Sequence, residues 1–175
     1  ENYGNVKICW VNSIKLLNVG FIAKALANLM LPFLFLNASK KYLPQTVDMV
    51  ISPTPPITLT NVIRRVKKQH NSFFYLILRD IFPQNAVDLG IMTNGGIVHK
   101  YYRRVEKKLY KLADRIGCMS QGNVDYLLYH NPELDPSKAV ILPNWINVDK
   151  KYDYETSKFI AKHNLENRYI ALFGG

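Results

Sequence analysis

Arg79 and Asp80 stand side by side between an apolar run and the segment Ile81-Phe82-Pro83-Gln84-Asn85. A carboxylate just past a strand can orient a hydroxyl or take its proton. A guanidinium beside it has the planar fork that suits phosphate oxygens. The same two residues could equally form a structural loop clamp. Three other segments carry hydrogen-bonding side chains in comparable settings. Thr54 lies in Ser52-Pro53-Thr54-Pro55-Pro56, where a hydroxyl and the first amides of a following helix can hold a phosphate or hydroxyl. A plain proline-stabilised turn explains that segment too. Ser120 and Asn123 belong to Ser120-Gln121-Gly122-Asn123, where helix capping alone accounts for Ser120. Asn144 precedes Trp145, at a place that suits either a cleft lining or hinge packing. Gln84 and Asn85 complete the set. Side chains of these types hydrogen-bond polyols and phosphates.

Other chemistry is weakly represented. His70, His99, His130 and His163 show no ligand spacing, and no paired carboxylates suggest a metal site. The two cysteines, Cys9 and Cys118, are too few and too far apart for a disulfide framework or a zinc site. Both lie in apolar stretches and are expected as buried, reduced thiols, which fits a cytoplasmic protein.

The elements that must position these residues alternate along the chain. Strands are expected at Val6–Val11, Asp48–Ser52, Phe73–Leu78, Asp114–Met119, Lys138–Leu142 and Arg168–Phe173. Helices are expected at Val19–Tyr42, Ile57–His70, Gly96–Ala113, from Ser120 to Tyr129, and at Glu155–His163, with Arg79–Gly90 irregular. Strand and helix in this alternation make βαβ units and an α/β fold with a Rossmann-like, doubly wound parallel sheet. In open α/β sheets ligands bind at the carboxyl ends of the strands. That rule brings the four polar segments above to one edge. The polar stretch 147–156 reads as a linker or hinge.

The 175 residues carry a net charge of +10, which calls for a polyanionic partner or surface. Lys100, Arg103, Arg104, Lys107, Lys108 and Lys111 recur every three or four residues and form one basic helix face. Such a face suits an anionic lipid leaflet or a phosphorylated ligand, and ordinary solvation explains it as well. Arg64, Arg65, Lys67 and Lys68 add a second cluster. Between Gly20 and Leu36 the only polar side chains are Lys24 and Asn28. This run contains Pro32 and falls short of the ~20 apolar residues that span a bilayer. It reads as a core helix or one that dips into a membrane surface.

The segments Ile51-Ser52-Pro53-Thr54-Pro55-Pro56-Ile57-Thr58, Leu78-Arg79-Asp80-Ile81-Phe82-Pro83-Gln84-Asn85-Ala86-Val87-Asp88-Leu89-Gly90, Glu106 to Tyr110 before Ala113 to Ser120, and Leu142-Pro143-Asn144-Trp145-Ile146 occur in that order. Together they resemble the WbuB-type glycosyltransferases, a branch of the retaining GT-B family that builds bacterial surface polysaccharides. The resemblance is strong over residues 40–150 and loose elsewhere. It implies residues 1–146 as the N-terminal, acceptor-side half of a GT-B fold, lacking the family's opening strand and Gly-rich loop. Residues 147–175 would be a linker and the start of a donor-binding domain.

The resemblance further implies sugar transfer from a nucleotide sugar, expected to be UDP-linked, to a lipid-diphosphate-linked or saccharide acceptor. The donor is a co-substrate bound by the absent C-terminal domain, and neither a cofactor nor a metal is implied. Asp80 would position the acceptor first and act as base second, because the leaving diphosphate can itself take the proton. The setting would be the inner face of the cytoplasmic membrane, with no nucleic-acid partner, and the chain alone would be inactive. Two readings of other classes stand beside this one: a basic nucleic-acid-binding module, and a peripheral membrane protein without chemistry.

Overall fold

Phe73–Leu78 alternates strictly between buried and more open positions, as a strand with one covered face must. It is the second of four parallel strands in a computed structural model that describes residues 2–13, 20–144 and 158–170. The chain divides into two units, Glu1–Pro143 and Asn144–Gly175. In the first, a short hairpin of β1 (Asn2–Tyr3) and β2 (Val6–Lys7) precedes α1 (Phe21–Tyr42). Then follow β3 (Met49–Pro53), a 3-10 turn at Ile57–Leu59 leading into α2 (Thr60–His70), β4 (Phe73–Leu78), α3 (Gln84–Asp88), α4 (Ile97–Leu112), β5 (Arg115–Cys118), α5 (Gln121–His130) and β6 (Ala139–Ile141). The second unit contributes α6 (Lys158–Lys162).

The sheet order is β3-β4-β5-β6, all parallel. This is the expected α/β, Rossmann-like arrangement of a parallel sheet flanked by helices. Each strand steps in the same direction, so right-handed crossovers place their helices on one face. The core agrees: Phe74, Leu76, Leu78, Ile116 and Cys118 pack with Ile63 of α2, Leu109 and Tyr110 of α4, and Val124 and Leu127 of α5. On the opposite face Met49, Ile51 and Phe73 are exposed. The winding shown by the described residues is thus one-sided.

Two polar ties lock the layers. Asp114, just before β5, accepts from the Phe74 amide at 2.7 Å and pairs with Lys67 of α2. Burial alone would raise its pKa, but the hydrogen bonds from Lys67 and Phe74 and the charges of Lys67 and Lys138 hold the carboxyl below its ordinary value. Glu106 of α4 is almost fully buried and accepts from Tyr110 Oη at 2.7 Å and from Arg103. Arg103 also donates to the His130 carbonyl at 2.6 Å and to Asn131 Oδ1 at 3.1 Å, which joins α4 to the end of α5. Burial raises the Glu106 pKa despite hydrogen bonds from Tyr110 and Arg103. Burial and the neighbouring Glu106 carboxylate push the Tyr110 hydroxyl far above its usual value.

Several expectations need correction. The strand foreseen at Val6–Val11 pairs only over Val6–Lys7, in a hairpin apart from the main sheet. Cys9 is consequently exposed, whereas Cys118 is buried and its thiol is pushed up to about 11 by that burial. The stretch Arg79–Gly90 contains α3. Arg168 to Ile170 are not strand, and residues 171–173 of that expectation lie outside the described residues. So do the whole linker stretch 147–156, Trp145, and the opening of the helix foreseen at Glu155–His163. In α1, Ala27 and Leu31 are buried on the side that meets α2 and the 3-10 turn, while Leu26, Leu29, Met30 and Phe33 form an exposed apolar stripe. No helix among the described residues is long and apolar enough to cross a membrane.

Candidate functional site

The carboxyl ends of β3, β4 and β5 release the chain into the three polar segments 52–56, 79–85 and 120–123. Because the strands are parallel and in register, these segments emerge at one edge. Thr54 stitches two of them together. Its amide donates to the Ile77 carbonyl at 2.9 Å, and its hydroxyl donates to the Asp80 carbonyl at 3.1 Å. Thr54 is buried, so this hydroxyl faces the neighbouring loop and fixes the backbone of Asp80.

The side chains of Arg79 and Asp80 remain on the surface. Among the described residues neither forms an ion pair with the other or with a third group. The clamp that would neutralise both is absent, which leaves a guanidinium and a carboxylate open to a ligand. The loop beneath them is anchored by Phe82, whose ring meets Tyr102 of α4 edge-on at 5.0 Å. Asn85 N donates to the Ile81 carbonyl at 2.9 Å as α3 begins.

The other sequence-predicted residues are placed as follows. Gln84 Nε2 donates to Asp88 Oδ1 at 2.8 Å, one turn along α3. Ser120 caps α5, accepting from Asn123 N at 3.3 Å and donating to Asn123 Oδ1 at 2.7 Å. Ser120 and Asn123 therefore satisfy each other at the same edge. Asn144 is exposed and opens the second unit. Among the described residues no cluster of three His, Cys, Asp or Glu side chains comes together to hold a metal ion.

Among the described residues two buried side-chain polar atoms have no hydrogen-bond partner: Asn85 Oδ1 and Thr58 Oγ1. Buried polar atoms are nearly always paired, so unpaired ones call for a reason. Both follow a strand end, one after β4 and one after β3, in the segments that build the candidate site. Thr58 was not among the candidates drawn from sequence. Its position in the turn after Pro56 was visible, but only the packing shows which hydroxyls are left unsatisfied.

The basic face of α4 is present. Lys100, Arg104, Lys107, Lys108 and Lys111 are exposed, while Arg103 is half-buried and committed to Glu106 and the end of α5. Lys107 pairs with Glu133 at 2.8 Å. A shallow groove lined by Gly95, His99, Lys100, Arg103, Arg104 and Lys107 runs along this face. Of the tyrosines near the stripe, Tyr110 is buried, Tyr102 is half-buried against Phe82 and Tyr101, and Tyr101 is exposed.

No protein-family model matches the chain. Over 124 residues it is 25% identical to a protein named Probable glycosyltransferase WbjE from Pseudomonas aeruginosa. That similarity covers 71% of this chain and 30% of the relative, so the chain spans less than a third of the length of the protein it matches.

Proposed function

We propose that this chain is the acceptor-side part of a glycosyltransferase. The observation that carries the reading is the Arg79–Asp80 pair: two exposed charged side chains, without an ion-pair partner among the described residues, at the carboxyl edge of a parallel sheet, with the Asp80 backbone held by Thr54. The similarity to a protein named as a glycosyltransferase supports the same reading. In it, Asp80 orients an acceptor hydroxyl and Arg79 meets a phosphate oxygen. Asn85 and Thr58, which follow the same strand ends, carry buried polar atoms without a hydrogen-bond partner among the described residues. Gln84, Ser120 and Asn123 belong to the surrounding polar rim, and Asn144, which opens the second unit, is a further substrate-binding candidate.

The finer reading is a retaining GT-B enzyme of the WbuB type that needs neither a metal nor a cofactor. The donor is a nucleotide sugar, UDP-linked, bound by a C-terminal domain beyond this chain. The acceptor is a lipid-diphosphate-linked sugar of bacterial surface polysaccharide synthesis, O-antigen or capsule. The site of action is the inner face of the cytoplasmic membrane, where the basic face of α4 meets anionic lipid. The nucleic-acid reading is less well supported, since a stacking platform needs several exposed aromatics beside the basic stripe and of Tyr101, Tyr102 and Tyr110 on α4 one, Tyr101, is exposed.

The test is sugar transfer by the complete reading frame, from a panel of UDP-sugars to a short-chain lipid-diphosphate sugar. Transfer of one sugar supports the reading. Silence across the panel, with salt-sensitive binding of nucleic acid in its place, overturns it.

A further inference from the structure

The first turns of α4 and the loop before them leave a group of apolar side chains in solvent. Leu89 is 72% exposed, Ile91 69%, Ile97 89%, Val98 57% and Tyr101 52%. Isolated exposed apolar residues are ordinary, but a cluster on one short segment marks a contact surface. The segment is held in shape: Gly90 and Gly95 take the left-handed φ values +69° and +71° that its turns require, and the Ile91 and Met92 amides both donate to the Ala86 carbonyl. The apolar group is therefore a formed tip.

The charge around this tip is predominantly basic, although the exposed Asp88 stands just before it and Glu133 pairs with Lys107. From Leu89 to Val105 there is no Asp or Glu, and the acid that follows, Glu106, is buried against Tyr110 and Arg103. Immediately behind the tip on the same helix stand the exposed Lys100, Arg104, Lys107, Lys108 and Lys111. An apolar tip with a basic collar matches a bilayer of anionic lipid, with acyl chains for the tip and phosphate headgroups for the collar. It does not match nucleic acid, because Leu89, Ile91 and Ile97 offer neither stacking nor hydrogen bonds. A second copy in two-fold contact would bring basic collar against basic collar.

We infer that residues 89–101 form a membrane-inserting element, with Leu89, Ile91 and Ile97 entering the acyl boundary of an anionic bilayer and the α4 lysines and Arg104 seated on its headgroups. The element begins at the sheet edge that carries Asp80, since a crossover helix starts where the preceding strand ends. A lipid-anchored acceptor would thus reach the site without leaving the bilayer. The inference builds on the membrane-facing part of the proposed function and not on the chemistry of transfer. The exposed stripe of α1, Leu26, Leu29, Met30 and Phe33, is the rival inserting surface. Its lysines stand at its two ends, Lys24 in the first turn and Lys40 and Lys41 in the last, with none along the stripe itself.

The test is flotation of the complete protein with vesicles of phosphatidylcholine alone or with about a third phosphatidylglycerol, in the absence of any sugar donor, so that it fails independently of the transfer reaction. The parent is expected to float with anionic vesicles only. Combined Leu89→Ser, Ile91→Ser and Ile97→Ser should cut the bound fraction at least tenfold at low salt. Lys100→Glu with Arg104→Glu should do the same and remove the preference for anionic lipid. Circular dichroism melts identical to the parent's would show that these exposed changes leave the fold intact. Leu29→Ser with Phe33→Ser should leave flotation unchanged. The inference is overturned by a parent that ignores anionic vesicles, by serine variants that float like the parent, or by loss of flotation through the α1 changes alone.

Discussion

Asp80 owes its position to a residue twenty-six places earlier. The Thr54 hydroxyl donates to the Asp80 carbonyl, so the backbone carrying the carboxylate is tied to the end of β3. Thr54→Val keeps the shape and deletes that bond. We expect a loss of about 1 kcal/mol in urea denaturation, and a larger loss in sugar transfer, about tenfold in kcat/KM, because placement of the reacting group is what suffers. Equal activity in this variant would mean that the bond is mere loop packing. Arg79 and Asp80 were legible in the sequence as an adjacent charged pair past a strand. The inward turn of Thr54 was not, since it depends on a carbonyl brought close only by the pairing of β3 with β4. The same applies to Thr58, whose unsatisfied hydroxyl is a property of packing.

At the scale of elements, the packing of Leu142 and Tyr75 over β5 rests on a missing side chain. A Cβ on Gly117 would lie 2.8 Å from Leu142 Cδ2 and 2.8 Å from Tyr75 Oη. Gly117→Ala must therefore displace the segment that follows β6, and should cost about 1–3 kcal/mol in chemical denaturation. A neutral result would show that Leu142 and Tyr75 move aside freely.

Glu106 governs the joint between α4 and α5. Its folded pKa is raised, so the stability tied to its protonated form is full below the unfolded value, about 4.3, and is lost as pH rises through the folded value. Glu106→Gln abolishes that loss. Denaturation midpoints of parent and variant, compared at pH 4 and pH 8, should shift in favour of the variant at the higher pH. A difference independent of pH would refute the assignment. Three elements were readable in advance: β4 by its short apolar run, α4 by its basic face, α5 by the Ser120 cap. The five-residue α3 was hidden among Pro83 and polar residues. The apolar run after Val6 suggested a longer strand than forms, because apolar character cannot say whether a partner strand is at hand.

For the whole molecule, the sequence conveyed the α/β class and the parallel sheet, because short apolar strands separated by helices permit little else. It did not convey that the crossover helices α2, α4 and α5 gather on one face, which follows from the order β3-β4-β5-β6. Nor did it show that two apolar surfaces, the α1 stripe and the tip before α4, remain open. The balance of those surfaces predicts peripheral binding to anionic vesicles through the tip, as set out above. The central claim is that the strand-end cluster around Asp80 is an acceptor site for sugar transfer. The most direct measurement compares the complete protein with its Asp80→Asn variant in transfer from a UDP-sugar to a soluble acceptor analogue, with folding verified for both. The account predicts transfer by the parent and a fall of about a hundredfold in kcat/KM in the variant. Equal transfer by both proteins would contradict it.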